Sequence, residues 1–217
     1  MSPMVSSGSG ESRPGGLFVV VDGVDGCGKT TQARLLADAL GVPPGLRLRE
    51  PGSTRLGEAL RALLLDREQR IGPASETLMF AAARRQMLDE LVRPALDAGE
   101  VVVCERFNPS TFAYQAVAGE LDEDGVLELL HGWANDPAPH LVVILDVDVD
   151  SAAKRRGAAT DRIEAKGLEF QRRVAEGYRR YAQLDPRAVV VDGTGSPEEV
   201  HARVMARIGE EASHGGR

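Results

Sequence analysis

GVDGCGKTTQ, Gly23 to Gln32, joins the apolar run LFVVV (Leu17 to Val21) to the segment ARLLADAL. Its first eight residues satisfy G-x-x-x-x-G-K-[ST] in full, with a strand-like run before them and a helix-like run after. Glycines let a backbone curl until consecutive N–H groups point inward at anionic oxygens. The first turn of the next helix adds unpaired N–H groups and the positive end of its dipole. Gly23, Val24, Asp25, Gly26, Cys27 and Gly28 are therefore expected to cradle the phosphates of a nucleoside triphosphate, with Thr31 completing the set. Lys29 would reach the β and γ phosphates, and the Thr30 hydroxyl would ligate Mg²⁺.

Working outward, further apolar, β-branched runs alternate with helical segments. LRLRE (Leu46 to Glu50), VVVCE (Val101 to Glu105), LVVILDV (Leu141 to Val147) and AVVVDG (Ala188 to Gly193) read as strands. Three of the five runs are almost continuously apolar, as strands covered on both faces are. Helices are expected at about 28–40, 54–66, 75–98, 108–119, 122–134, 149–157, 161–184 and 196–209. The alternation predicts an α/β fold of three layers, a five-stranded parallel sheet flanked by helices. Ser75 with Glu76, and Ser196 to Glu199, are expected helix starts, whereas Pro94 should end or kink the third helix near Arg93. In 161–184, Ile163, Phe170, Val174, Tyr178 and Tyr181 fall near one helical face, which makes both tyrosines core residues.

Composition narrows the class of function. A chain of 217 residues suits one substantial domain, expected over 17–210, with a flexible tail at 1–16 and a short one at 211–217. The formal charge of −7 argues against a general binder of nucleic-acid polymers or membrane surfaces. Arginine dominates the cations, since Lys29, Lys154 and Lys166 are the only lysines. Cys27 and Cys104 have no metal-ligand spacing, and a reducing, cytoplasmic setting is the simpler reading, with both as small side chains in tight places. The first residues lack the apolar core of a signal peptide, and no apolar run approaches the ~18 residues of a membrane span.

The glycine loop alone leaves GTPase, ATPase and kinase open. No N-K-x-D run exists to read guanine, while LVVILD, ending at Asp146, could serve as an ATPase's carboxylate strand. Further motifs follow in order: Arg49-Glu50-Pro51-Gly52-Ser53-Thr54; RLGEALRALLLD; Phe80-Ala81-Ala82-Ala83-Arg84-Arg85-Gln86; Glu105-Arg106-Phe107; Ser110-Thr111; Ala113-Tyr114-Gln115; Asp161-Arg162-Ile163-Glu164. In this order and spacing the chain resembles the thymidylate kinase family, from about Leu17 to Ala206.

The resemblance implies a phosphotransferase that passes the γ-phosphate of ATP to dTMP, giving dTDP, with Mg²⁺. By the same resemblance Arg106 and Arg84 clamp the acceptor phosphate, Phe80 stacks on the pyrimidine, Thr111 bonds the base edge and Tyr114 crowds the sugar 2′ position. Asp25 would reach the sugar or metal-bound water, and Glu50, Pro51 and Gln115 complete the acceptor site. The family's catalytic cation comes from the glycine loop or from a mobile lid. Gly26 and Cys27 leave no arginine in this loop, so a lid at about 152–163 is expected to supply Arg156, then Arg155, with Arg162 supporting ATP. The family usually carries glutamate where this chain has Asp22, and aspartate where it has Glu105. That exchange implies a compensated pair holding Mg²⁺-bound water, with Thr30. Phe107 and Ser53 are further departures, replacing a common tyrosine or histidine and a common glycine. A homodimer is implied too. Two other readings stay open: a kinase for another pyrimidine or modified thymidylate nucleotide, and a non-catalytic nucleotide-binding paralogue.

Overall fold

The computed structural model describes residues 16–156, 162–163 and 166–214, with side chains described as far as residue 210. The two tails, apart from Gly16 and 211–214, and most of the expected lid between 157 and 165 lie outside the described residues. Five strands form one parallel sheet: β1 (Leu17–Gly23), β2 (Arg47–Arg49), β3 (Val101–Glu105), β4 (Leu141–Asp146) and β5 (Ala188–Asp192). Their spatial order is β2-β3-β1-β4-β5. β1 lies at the centre, with Leu17 in register with Val101 on one side and Val19 with Leu141 on the other. Phe18 to Val21 and Val142 to Leu145 are buried on both faces, which explains their unbroken apolar runs.

The helices are α1 (Lys29–Ala39), α2 (Arg55–Leu65), α3 (Pro73–Met87), α4 (Arg93–Asp97), α5 (Asn108–Thr111), α6 (Glu123–His131), α7 (Val149–Arg156), α8 (Leu168–Leu184) and α9 (Pro197–His214). Local chemistry sets several starts. Thr54 caps α2 by accepting from the Gly57 N–H at 3.0 Å, and Asp122 caps α6 through Gly125. Ser196 and Glu199 exchange bonds at the head of α9, as their spacing led one to expect. α9 runs past the expected end at 209, to His214.

Two expectations shift. α3 opens at Pro73, two residues before Ser75, because proline suits the first helical position, where an N–H has no partner. The helical path also survives Pro94: a π turn at Leu88–Val92 absorbs the disturbance before the proline enters the first turn of α4. A second π turn, Phe112–Val117, continues α5. α8 begins at Leu168 after Gly167, so Ile163 is not on its face.

Candidate active site

The carboxyl ends of β1, β2 and β3 and the turns that follow them converge on one side of the sheet, where open α/β sheets bind ligands. After β1 the chain makes the glycine loop. Gly28 has φ +97° and a side chain there would meet open space within the loop, so backbone conformation demands glycine. Gly26 is set by close approach: a Cβ on it would stand 2.0 Å from the Ala152 carbonyl oxygen of α7. Gly26 to Gln32 line a cleft whose far wall is Arg155, Gly193, Gly195, Pro197 and Val200. Cys27 is buried beneath the loop with its Sγ 2.8 Å from a hypothetical Gly23 Cβ, a small side chain in a tight place.

Lys29 curls back, donating to the Val24 carbonyl at 3.2 Å and Asp25 at 3.0 Å. Asp25 also accepts from the Tyr114 hydroxyl at 2.8 Å and from Arg106. Burial opposes charge on Asp25, but Arg106 and Lys29 beside it hold its carboxyl well below the usual carboxylate range. Arg106 has a left-handed backbone, φ +68°, a conformation that costs a non-glycine residue and recurs at functional sites. Burial pulls its guanidinium down, and Asp25 outweighs that and raises it further above its ordinary range.

Asp25 and Arg106 lie on the wall of a second cavity, about 570 Å³ including its open mouth. The sequence-predicted Glu50, Pro51, Phe80, Arg84, Thr111, Tyr114 and Gln115 line it too, brought together from three segments. Ser110, Leu65, Ile163 and Arg61 complete the wall, and no role was foreseen for Arg61. A signal for Arg61 existed: in α2 it falls four residues after buried Gly57 and three before buried Leu64, a cation near the inward face. Arg61 donates to the Pro51 carbonyl at 3.0 Å. Burial, with Arg49 and Arg106 nearby, lowers its guanidinium below the ordinary range. Cations gathered this way at a cavity favour an anion there.

Three expectations need correction. Arg84 is 1% exposed and its donors are already engaged by Glu50 (2.5 to 3.0 Å), Asn108 and Thr111. It stands over the Phe107 ring at 4.6 Å, a wall of the cavity and not a free phosphate clamp. Burial pushes the Glu50 carboxyl up despite Arg84 beside it. Arg162 does not reach the glycine-loop cleft: it donates to the Leu64 carbonyl and to Glu76, which also accepts from Gln115. Asp22 does not join Glu105. It is fully buried and its carboxylate accepts from Gly23, Phe107 and Ser110 N–H groups and from the Ser110 and Tyr178 hydroxyls. Five donors leave it nothing for a metal's water.

The Thr30 hydroxyl instead donates to Glu105 at 2.8 Å. A hydroxyl and a carboxylate fit Mg²⁺, a hard cation that takes one or two protein oxygens and keeps several waters. Of the expected catalytic arginines, Arg155 lines the cleft and donates to the Gly193 carbonyl at 3.2 Å. Arg156 ends α7 with its Cβ 3.2 Å from a hypothetical Gly26 Cβ, and its buried Nε has no partner among the described residues.

Comparison with known proteins shows the family and the fold. Residues 21–204 match the family model described as thymidylate kinase. A thymidylate kinase of Caldanaerobacter subterraneus subsp. tengcongensis is 39% identical over 199 residues, covering 90% of this chain and 96% of that one. One of Leifsonia xyli subsp. xyli is 41% identical over 202 residues, covering 91% and 96%. The crystal structure of thymidylate kinase from Ehrlichia chaffeensis superposes with a TM-score of 0.73 at 32% identity, covering 90% of this chain and all of that one. The chain belongs to the thymidylate kinase family.

Proposed function

We propose that the two cavities hold the two nucleotides of an ATP-dependent phosphorylation of dTMP to dTDP, ATP in the glycine-loop cleft and dTMP in the neighbouring cavity. The chain is a phosphotransferase of its family. The observation that carries the assignment of sites is the junction between them. Asp25 lines the acceptor cavity and is bonded to Lys29, which lines the triphosphate cleft.

Arg106 and Arg61 supply the donors for the acceptor phosphate, as fork-shaped guanidinium groups suit a dianion. Phe80 provides a ring for the pyrimidine. The Thr111 hydroxyl, which accepts from Arg84, offers its own proton to the base edge, and Tyr114 narrows the sugar end. An ionised phosphate needs no strong general base, so the work is alignment and the cancelling of repulsion. Thr30 and Glu105 would hold Mg²⁺, which when bound neutralises charge on the triphosphate. Arg155 and Arg156, at the end of α7, are the candidates for the cation that stabilises the moving phosphoryl group.

The homodimer rests on an apolar helix face: Leu56 and Leu63 of α2 and Leu78 of α3 are exposed, Leu78 at 63%. A cytoplasmic setting rests on two free, buried cysteines, and no helix among the described residues is long and apolar enough to cross a membrane. ADP release from ATP·Mg²⁺, measured with dTMP, dUMP, UMP and dCMP offered separately, tests the function. The expected order places dTMP first. Equal ADP release with no acceptor present would overturn it.

A further inference from the structure

We infer that Tyr178, Asp22 and Ser110 form a buried chain that positions Arg106 for the acceptor phosphate, so that a helix with no residue on the cavity wall sets acceptor affinity. The inference rests on the reading of Arg106 as the phosphate clamp. Arg106 Nη1 donates to Ser110 Oγ at 3.2 Å, while Nη2 reaches Asp25 and the guanidinium stands 5.6 Å from the centre of the Tyr114 ring. Its backbone is pinned by an N–H bond to the Val21 carbonyl at 3.0 Å. The orientation of the guanidinium therefore depends on where Ser110 keeps its hydroxyl.

Ser110 Oγ accepts from Arg106 and sends its own proton onward. It lies 2.8 Å from Asp22 Oδ1 and 2.8 Å from the Tyr178 hydroxyl, which in turn donates to Asp22 Oδ1 at 2.8 Å. Asp22 Oδ2 accepts from the Phe107 and Ser110 N–H groups at 3.1 Å each, so one carboxylate fixes the whole turn that carries Arg106. Burial, reinforced by Asp22, pushes the Tyr178 hydroxyl well up, which keeps it a proton donor. Tyr178 itself does not line the acceptor cavity, and its ring packs edge-on against Tyr114 at 6.4 Å. Replacing it with phenylalanine keeps that ring contact and removes only the hydroxyl. The Asp22 carboxylate stays close to the strand end, where it meets three backbone N–H groups.

Steady-state kinetics on the full chain test this. Tyr178→Phe is expected to raise the KM for dTMP about five- to twentyfold, the worth of roughly one hydrogen bond, and to leave the KM for ATP within about twofold. Equilibrium binding of dTMP without ATP should weaken by the same factor. Tyr181→Phe removes another buried hydroxyl of α8, bonded to Asp185 at 2.9 Å, and should move neither KM. Arg106→Ala should raise the KM for dTMP more than Tyr178→Phe does, which checks the clamp separately. If Arg106→Ala behaves so while Tyr178→Phe leaves dTMP affinity unchanged, or lowers only turnover, the positioning role is refuted and the clamp stands. If Arg106→Ala leaves dTMP affinity unchanged, the clamp falls and the inference with it.

Discussion

Glu50→Gln should be far more damaging than its single-atom chemistry suggests. Glu50 is 4% exposed and Arg84 1%, and the carboxylate accepts from Arg84 Nε at 3.0 and 2.8 Å and from Nη2 at 2.5 Å. The amide keeps one acceptor, loses the charge, and turns an N–H₂ group toward a guanidinium that has no water to retreat to. Removing one partner of such a buried pair costs about 3–5 kcal/mol, because a desolvated charge is left uncompensated. For a chain of this size each kcal/mol moves Tm by roughly 2–4 °C, so the midpoint should fall by about 6–20 °C. Differential scanning fluorimetry or urea unfolding of the ligand-free protein reads this directly. Arg84→Met should cost a similar amount, and Glu50→Met with Arg84→Met clearly less than the sum. A loss under about 1 kcal/mol for Glu50→Gln, or strict additivity in the double variant, would refute the idea that the pair is a desolvated ionic unit.

Arg61→Ala should raise the KM for dTMP about 10- to 100-fold, the worth of one or more charge-assisted bonds, with the KM for ATP unmoved. A parallel rise in both would move Arg61 out of the acceptor site. Arg156→Ala is expected to cut turnover on the scale of arginine fingers, ~10³ or more, and near-normal turnover would hand that role to Arg155 or another cation. Asp25 gives the pH dependence. Its folded-state carboxyl is depressed, so its contribution to stability is complete above the ordinary carboxylate range and drains away as pH falls below about 4. The stability gap between the wild-type chain and Asp25→Asn, followed by thermal melts, should narrow in that acid window; a gap that stays constant down to pH ~2 contradicts the depressed carboxyl.

β1 and β4 were legible because parallel strands buried on both faces must be apolar throughout, and Leu17 to Val21 and Leu141 to Ile144 are. The glycine loop was legible because its chemistry is local: turn, cradle and helix start lie within ten residues. Phe80 and Arg84 share a helix face, so their arrival at one cavity followed from spacing. What the sequence hid were pairings across the fold. Nothing in the neighbourhood of Arg84 says that Glu50, 34 residues earlier, consumes its donors. Arg162 likewise finds Glu76 and the Leu64 carbonyl only once the chain has folded. Tyr178 looked like core and is core, yet its hydroxyl ends on Asp22, 156 residues away. The π turn at Phe112–Val117 follows from no local pattern in the sequence.

The central position of β1 has a consequence for how the protein is made. Among the described strands, β1 pairs with β3 and β4, and not with β2, the strand that follows it in sequence. Such distant pairings are entropically late events in folding. Without β4 the strand that shoulders the glycine loop is absent, and the approach is so close that a Cβ on Gly23 would stand 2.6 Å from the Leu145 carbonyl oxygen. A chain truncated before β4 should hold no nucleotide, and Phe18 to Val21 would run along a sheet edge whose N–H and C=O groups have lost their partner strand.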